Sequence, residues 1–291
     1  MATADRPSTP SAAAAPPRPA SPGLGYGAMR VFDLSIGQML WSRRTIFMAL
    51  VVGVPVVIAV VLRVLVELGA PVMRAGGTPI GGGVVFGLMM WGFFVRFAVP
   101  VLAVFYGTSL IADEVEDKTL TYLFTRPVPR AAVLLGKYLA YLMCTIGVVL
   151  PSVVLVWLLI APVNGALGET FINLVKDLGI LGAGLAVYGA VFALVGATVK
   201  RPLVFGLAFI FGWETLALAL PGFLRRLSVA YYLQGLVPHA MPADSPLSLV
   251  QSIFRDDLGV TESLVSLTVI ALVSLWLAGR AVSRREYVLE Q

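Results

Sequence analysis

Charge is scarce in this chain: Lys, Arg, Asp and Glu make up 13% of its 291 residues, while 58% are hydrophobic and the mean hydropathy is +0.91. A soluble domain carries about a quarter charged residues. So little charge cannot cover a water-facing surface of this size, and the solvent that fits is a bilayer. There is one cysteine, Cys144, and it lies inside an apolar run, which excludes an internal disulfide and leaves a small packing residue. The one histidine, His239, has no Cys or second His to accompany it, so no metal site is expected and no Ser–His–Asp or Cys–His hydrolase arrangement can be assembled. The net charge of +5 does not indicate nucleic acid, because the basic residues flank apolar runs rather than forming a separate basic stripe with aromatics. The N-terminus also lacks an apolar core behind a basic start, so no signal peptide is expected. Residues 1–29, rich in Ala, Pro and Ser, read as a disordered cytoplasmic tail.

What is present is long apolar runs. Residues 30–44 precede the first, with Phe32, Ile36 and Leu40 at spacing four and Trp41, Arg43 and Arg44 at the end. They read as an amphipathic helix lying in the cytoplasmic interface, or else as the first turns of the next span. Residues 45–291 then hold six runs long enough to cross a bilayer, at 45–66, 86–112, 138–160, 178–199, 203–220 and 263–279. The fold class is therefore all-α, a polytopic membrane protein of six transmembrane helices. The second run is longer than a span needs, which implies tilt or a bend at Pro100. The fourth carries small residues at spacing four, Gly182, Ala186 and Ala190 beside Gly189, Ala193 and Ala197, a face that lets helices approach closely.

Lys and Arg set the orientation. With the N-terminus inside, Arg30, Arg43, Arg44, Lys118, Arg126, Arg130, Lys137, Lys200, Arg201, Arg280, Arg284 and Arg285 fall on the cytoplasmic side. Only Arg74, Lys176, Arg225, Arg226 and Arg255 fall outside, so both termini are expected in the cytoplasm. An outer segment then spans about residues 221–262.

The segment at about 113–137 joins the second and third spans on the cytoplasmic side. Asp113, Glu114, Glu116 and Asp117 put four acids in five residues; Leu120, Leu123 and Phe124 give an apolar edge; Pro127 and Pro129 force a corner; Arg130 to Lys137 resume as a helix entering the membrane. Charge for steering, an apolar edge for grip and a stiff corner suit a docking surface for a cytoplasmic partner; a solvated connector has the same composition.

This stretch resembles the cytoplasmic loop of type-2 ABC exporter permeases. The matching positions are Glu114, Thr119, Leu120, Leu123, Pro127, Val128, Arg130, Gly136 and Lys137, and Lys118 stands where that family usually has Gly. The order of elements from Arg30 to Gln291 also fits. The segment around Trp213-Glu214 looks like one found in the branch that includes permeases of nitrous-oxide-reductase maturation and gliding motility. The resemblance implies a permease that pairs with a second permease chain and is driven by separate cytoplasmic ABC ATPase subunits, with Asp113, Glu114, Glu116, Thr119, Leu123, Pro127, Arg130 and Lys137 at the coupling surface. ATP and Mg would be bound by the ATPase. Gly136-Lys137 ends like a phosphate loop, but position 131 is Ala and Tyr138 follows where Ser or Thr is needed, so this chain has no nucleotide site of its own.

Two charges stand inside the apolar runs. Glu214 lies 13 residues beyond Arg201, and Arg96 lies 17 residues before Asp113. Both fall in the outer half of the bilayer, where an unpaired charge costs about 3 kcal/mol or more. Each must face a partner or a wet cavity: a polar spot on the export route, a structural ion pair, or snorkelling to the headgroups. Arg63 and Glu67, four apart, read as an ordinary helix-surface pair. Other functions remain in play. A secondary transporter should show inverted repeats, and none is visible. An intramembrane enzyme needs a nucleophile–base pair. A non-transporting signal transmitter powered by an ATPase is compatible with everything above.

Overall fold

An apolar backbone in lipid must satisfy its own hydrogen bonds, which for these Val-, Leu- and Ala-rich runs leaves only helix. The computed structural model describes residues 23–70, 74–75, 78–111, 130–165, 167–219, 223–237 and 259–284. The expectations for residues 1–22, for Asp113, Glu114, Glu116, Asp117, Thr119, Leu123 and Pro127, and for His239 lie outside them.

Apart from short turns and links, the described residues are helical, with a two-residue antiparallel ladder, Arg74–Ala75 with Thr78–Pro79. Helix α1 is Leu24–Leu40, α2 Arg43–Glu67, α3 Gly82–Ile111, α4 Arg130–Ile160 and α5 Leu167–Thr198. Helix α6 is built of Pro202–Ala208, Phe209–Glu214 and Thr215–Ala219; a 3₁₀ turn at Phe223–Leu227 leads to α7, Val229–Leu236; α8 is Val260–Arg284. Among the described residues five helices, α2, α3, α4, α5 and α8, are long and apolar enough to cross a membrane, and the remaining apolar run, in α6, forms a shorter helix. Helices α3, α4, α5 and α8 all begin upstream of the expected spans, because hydropathy marks where lipid begins and the helix continues past it.

Both α3 and α6 contain π-helix, at Met90–Ala98 and Phe209–Glu214. In α3 the π-helix ends at Ala98, just before Pro100. Pro100 has no N–H for the carbonyl of Arg96, and its ring crowds that carbonyl, which a wider turn accommodates. The irregularity expected at Pro100 therefore lies just before it.

Helix α1 begins at Leu24, so residues 24–29, assigned above to the tail, are helical. The reason is contact: α1 packs along α4, and Gly136 of α4 is where the two backbones meet. A Cβ at Gly136 would strike the carbonyl oxygen of Ala28 and come within 2.8 Å of Val31 Cβ and 3.1 Å of the Phe32 nitrogen. The face of α1 turned inward carries Ala28 and Ser35 with Phe32 and Ile36 half-buried beside them, while Leu34, Leu40 and Trp41 are exposed, so of the Phe32–Ile36–Leu40 stripe expected from spacing Leu40 lies off the inward face. At the corner into α2, the Ser42 and Thr45 hydroxyls both donate to the carbonyl of Met39.

The bundle closes around α5, which packs against α3, α4 and α8. The close approaches are made at Gly189, from one of its two small-residue stripes, and at Gly196, which stands in neither. A Cβ at Gly189 would collide with the Tyr141 ring, and one at Gly196 with the Thr108 backbone, whereas Gly182 meets nothing within 4 Å. Tyr141, fully buried, donates its hydroxyl to the carbonyl of Leu185 at 2.8 Å, and Tyr138 donates to that of Ala186 at 2.7 Å. These bonds fix the register of α4 against α5 where side-chain packing alone would let them slide. Helices α2 and α8 turn most of their apolar surface outward.

Candidate functional site: a buried carboxylate at a helix start and an arginine-lined cavity

Helix α7 is eight residues long, and Val229 through Gln234 are all buried. It packs against α5, α8 and the π-helical part of α3. The N–H groups of its first turn would be orphans in this dry surrounding. Two side chains answer them. Ser228, the residue before the helix, accepts from the Tyr231 N–H at 3.3 Å. Glu214, from the end of the π-helical part of α6, accepts from the Val229 and Ala230 N–H groups, each at 3.1 Å, and from the Ser228 hydroxyl at 2.5 Å. The Tyr188 side chain of α5 lies close enough to the carboxylate to interact with it. A carboxylate placed on N–H groups that point along a helix axis is favourable, because the positive end of the helix dipole faces it.

Glu214 is therefore held by α7. Arg96 is the other intramembrane charge, and its guanidinium lies over the Trp91 ring, 5.9 Å from the centroid. It is near enough to Tyr188 and Glu214 to interact with both electrostatically. The two charges that depth alone suggested as partners thus belong to one polar region, but the carboxylate's hydrogen bonds run to α7. Beside them, the π-helical turns of α3 and α6 enclose a cavity of about 400 Å³, lined by Trp91, Arg96, Phe97, Ile210, Phe211 and Thr215.

Of the coupling residues expected on the cytoplasmic side, two are described. Arg130 is the first residue of α4, and Lys137 is half-buried beside Gly136. Arg63 and Glu67 form the exposed pair expected from their spacing, at 2.8 Å. Sequence reasoning missed Ser228, Tyr188 and Asp177, the last fully buried in α5. Ser228 had a signal, since a Ser directly before the apolar run VAYYL is a helix-start pattern. Among the described residues no group of three or more His, Cys, Asp or Glu could hold a metal.

Long apolar helices and a buried carboxylate answered by a helix start define a multi-pass helical membrane protein. The model of the family described as ABC-2 family transporter protein matches residues 19–286, and the chain belongs to that family. It forms the membrane domain of an ABC transporter. No curated protein matches the chain.

Proposed function

We propose that this chain is the permease subunit of an ATP-driven exporter in the cytoplasmic membrane. It pairs with a second permease chain and is powered by separate cytoplasmic ABC ATPase subunits that bind ATP and Mg. The branch we favour is that of the permeases of nitrous-oxide-reductase maturation and gliding motility. The observation that carries the reading is the seating of α1 on the first turns of α4 through Gly136. That contact lies directly after the 113–129 segment and makes one unit of the in-plane helix, the Gly136-Lys137 pair and the start of a span. A push on the connecting segment would reach the membrane through it.

Two experiments test this. Glu114→Ala and Arg130→Ala are expected to leave insertion intact and to weaken co-purification of the ATPase; truncating one partner of a buried charged contact costs about 2–5 kcal/mol. Replacing Pro127 and Pro129 with Ala is expected to keep the ATPase bound while uncoupling hydrolysis from transport in liposomes. If all these variants bind and couple like wild type, the segment is a plain connector. For topology, single cysteines are placed at Ser8, Ser245 and Ser283 in a chain whose buried Cys144 is replaced by Ala. In intact cells only the one at Ser245 is expected to react with an impermeant thiol reagent. Labelling at Ser283 without permeabilisation would overturn the orientation.

A further inference from the structure

Helix α7 is held differently at its two ends. At its start, the Val229 and Ala230 N–H groups rest on the Glu214 carboxylate and the Tyr231 N–H on Ser228. Near the other end stands Gln234, which is buried, and among the described residues neither its amide oxygen nor its amide nitrogen has a hydrogen-bond partner. Ser263 is fully buried at the start of α8, one of the helices on which α7 packs, and its hydroxyl is in the same condition. Other hydroxyls in the bundle are better served. Thr108, Ser109, Thr145 and Ser152 are all buried, and each donates to a carbonyl of its own helix. Leu233, the neighbour of Gln234, fits closely against α5, where a Cβ at Gly184 would lie 3.2 Å from its Cδ1. The seat of α7 is therefore well packed, and what it lacks at this end is polar partners.

A buried amide or hydroxyl without a partner destabilises the state that buries it, and the penalty is relieved when water reaches the group. An apolar side chain of similar volume at position 234 would hold α7 down more firmly. The sequence thus weakens one end of a helix whose other end is clamped, and the direction of opening follows. Lifting the start of α7 would strip two backbone N–H groups of a carboxylate, whereas lifting the Leu236 end would give Gln234 and Ser263 the hydrogen bonds they lack. We propose that α7 is a hinged flap: it pivots about the Glu214–Ser228 clamp and opens from its Leu236 end, bringing Gln234 and Ser263 to water. The two partnerless groups bring the docked state closer in free energy to the lifted one, as a two-state element requires. Coupling of this motion to transport rests on the permease reading above; the pivot does not, since it needs no ATPase.

The test uses the purified full chain in nanodiscs, with Cys144 replaced by Ala, and reads the rate at which single cysteines react with a small water-soluble thiol reagent. Ser263→Cys reports the free end of the flap, and Ala230→Cys, also buried, reports the clamped end. Ser263→Cys is expected to react at least about tenfold faster than Ala230→Cys. Adding Gln234→Leu is expected to slow the Ser263→Cys reaction about tenfold and, in the parent chain, to raise the thermal midpoint by roughly 3 °C. Gln234→Met, unbranched like the native side chain, makes the same test should the branched one not fit. Equal rates at the two cysteines would overturn the proposal. So would a midpoint that falls in both Gln234 variants, which would mean that the amide is satisfied in its seat. Fraying at the start of α8 would also expose Ser263→Cys, but neither Gln234 variant would slow it, and an unchanged rate in both overturns the flap. If Ala230→Cys fails to fold, the effect of the Gln234 variants on Ser263→Cys decides the matter. No outcome depends on the ATPase, so failure here is distinct from failure of the exporter reading.

Discussion

Glu214→Ala is expected to be among the most damaging single changes in this chain, lowering stability by roughly 3 kcal/mol, because it strips acceptors from two buried backbone N–H groups at once. The Val229 and Ala230 nitrogens lose the carboxylate, and neither has water to turn to. The thermal midpoint in mild detergent should fall by roughly 6 °C or more. Ser228→Ala removes one capping oxygen and should cost about 1 kcal/mol. Glu214→Gln should fall between, since the amide keeps one acceptor but turns an NH₂ group toward donors. Because the two residues serve one network, the double Ala variant should be little worse than Glu214→Ala alone. A charge swap between Arg96 and Glu214 should not restore stability, as an arginine at 214 cannot accept from the first turn of α7. If Glu214→Ala melts like wild type while Ser228→Ala does not, the carboxylate does not hold α7.

Gly136→Val is expected to evict α1 from α4 while leaving the rest of the bundle assembled. The atoms a side chain would strike there include the Ala28 carbonyl and the Phe32 nitrogen, which are backbone and cannot rotate aside. Relief requires one helix to move, and α1, joined to the bundle only at its end, is the freer. A cysteine at Ser35, which is buried against the bundle, reports the outcome. It should resist thiol reagents in the parent and react at least about tenfold faster in Gly136→Val; tenfold corresponds to about 1.4 kcal/mol of altered protection. ATPase turnover should lose its coupling to transport in the same variant. A cysteine that stays protected would mean that α1 accommodates the side chain.

These two sites also mark how far the sequence could be read. The six apolar runs were legible because lipid leaves the backbone no alternative to helix. The positions of Glu214 and Arg96 were legible as places where charge is expensive. Their partners were not. Glu214 answers backbone N–H groups 15 and 16 residues further on, and a backbone donor leaves no residue-type signature. The start of α1 was hidden for a related reason. Residues 24–29 carry two glycines, Gly25 and Gly27, which weaken a helix, and the contact that seats them is with a glycine more than a hundred positions away. Gly136 was noticed only as half of a motif, while its packing role depends on which helix lies opposite. The two small-residue stripes of α5 were visible, but only the opposing Tyr141 ring singles out Gly189, and the close approach of Gly196 to the Thr108 backbone lay outside both.

The shortness of α7 governs the order in which this protein can be assembled. Eight residues rise about 12 Å, less than half the hydrocarbon thickness, so α7 cannot partition into the bilayer as an independent unit during synthesis. Its seat is formed by α3 and α5, which are made before it, and by α8, which is made after it. Docking of α7 therefore waits until α8 has entered the membrane, and until then the Glu214 carboxylate has no seated helix start to meet. Maturation has a built-in final step. A nascent chain truncated before α8 should insert its earlier helices and still leave this acid exposed to quality-control proteases, whereas the finished chain conceals it.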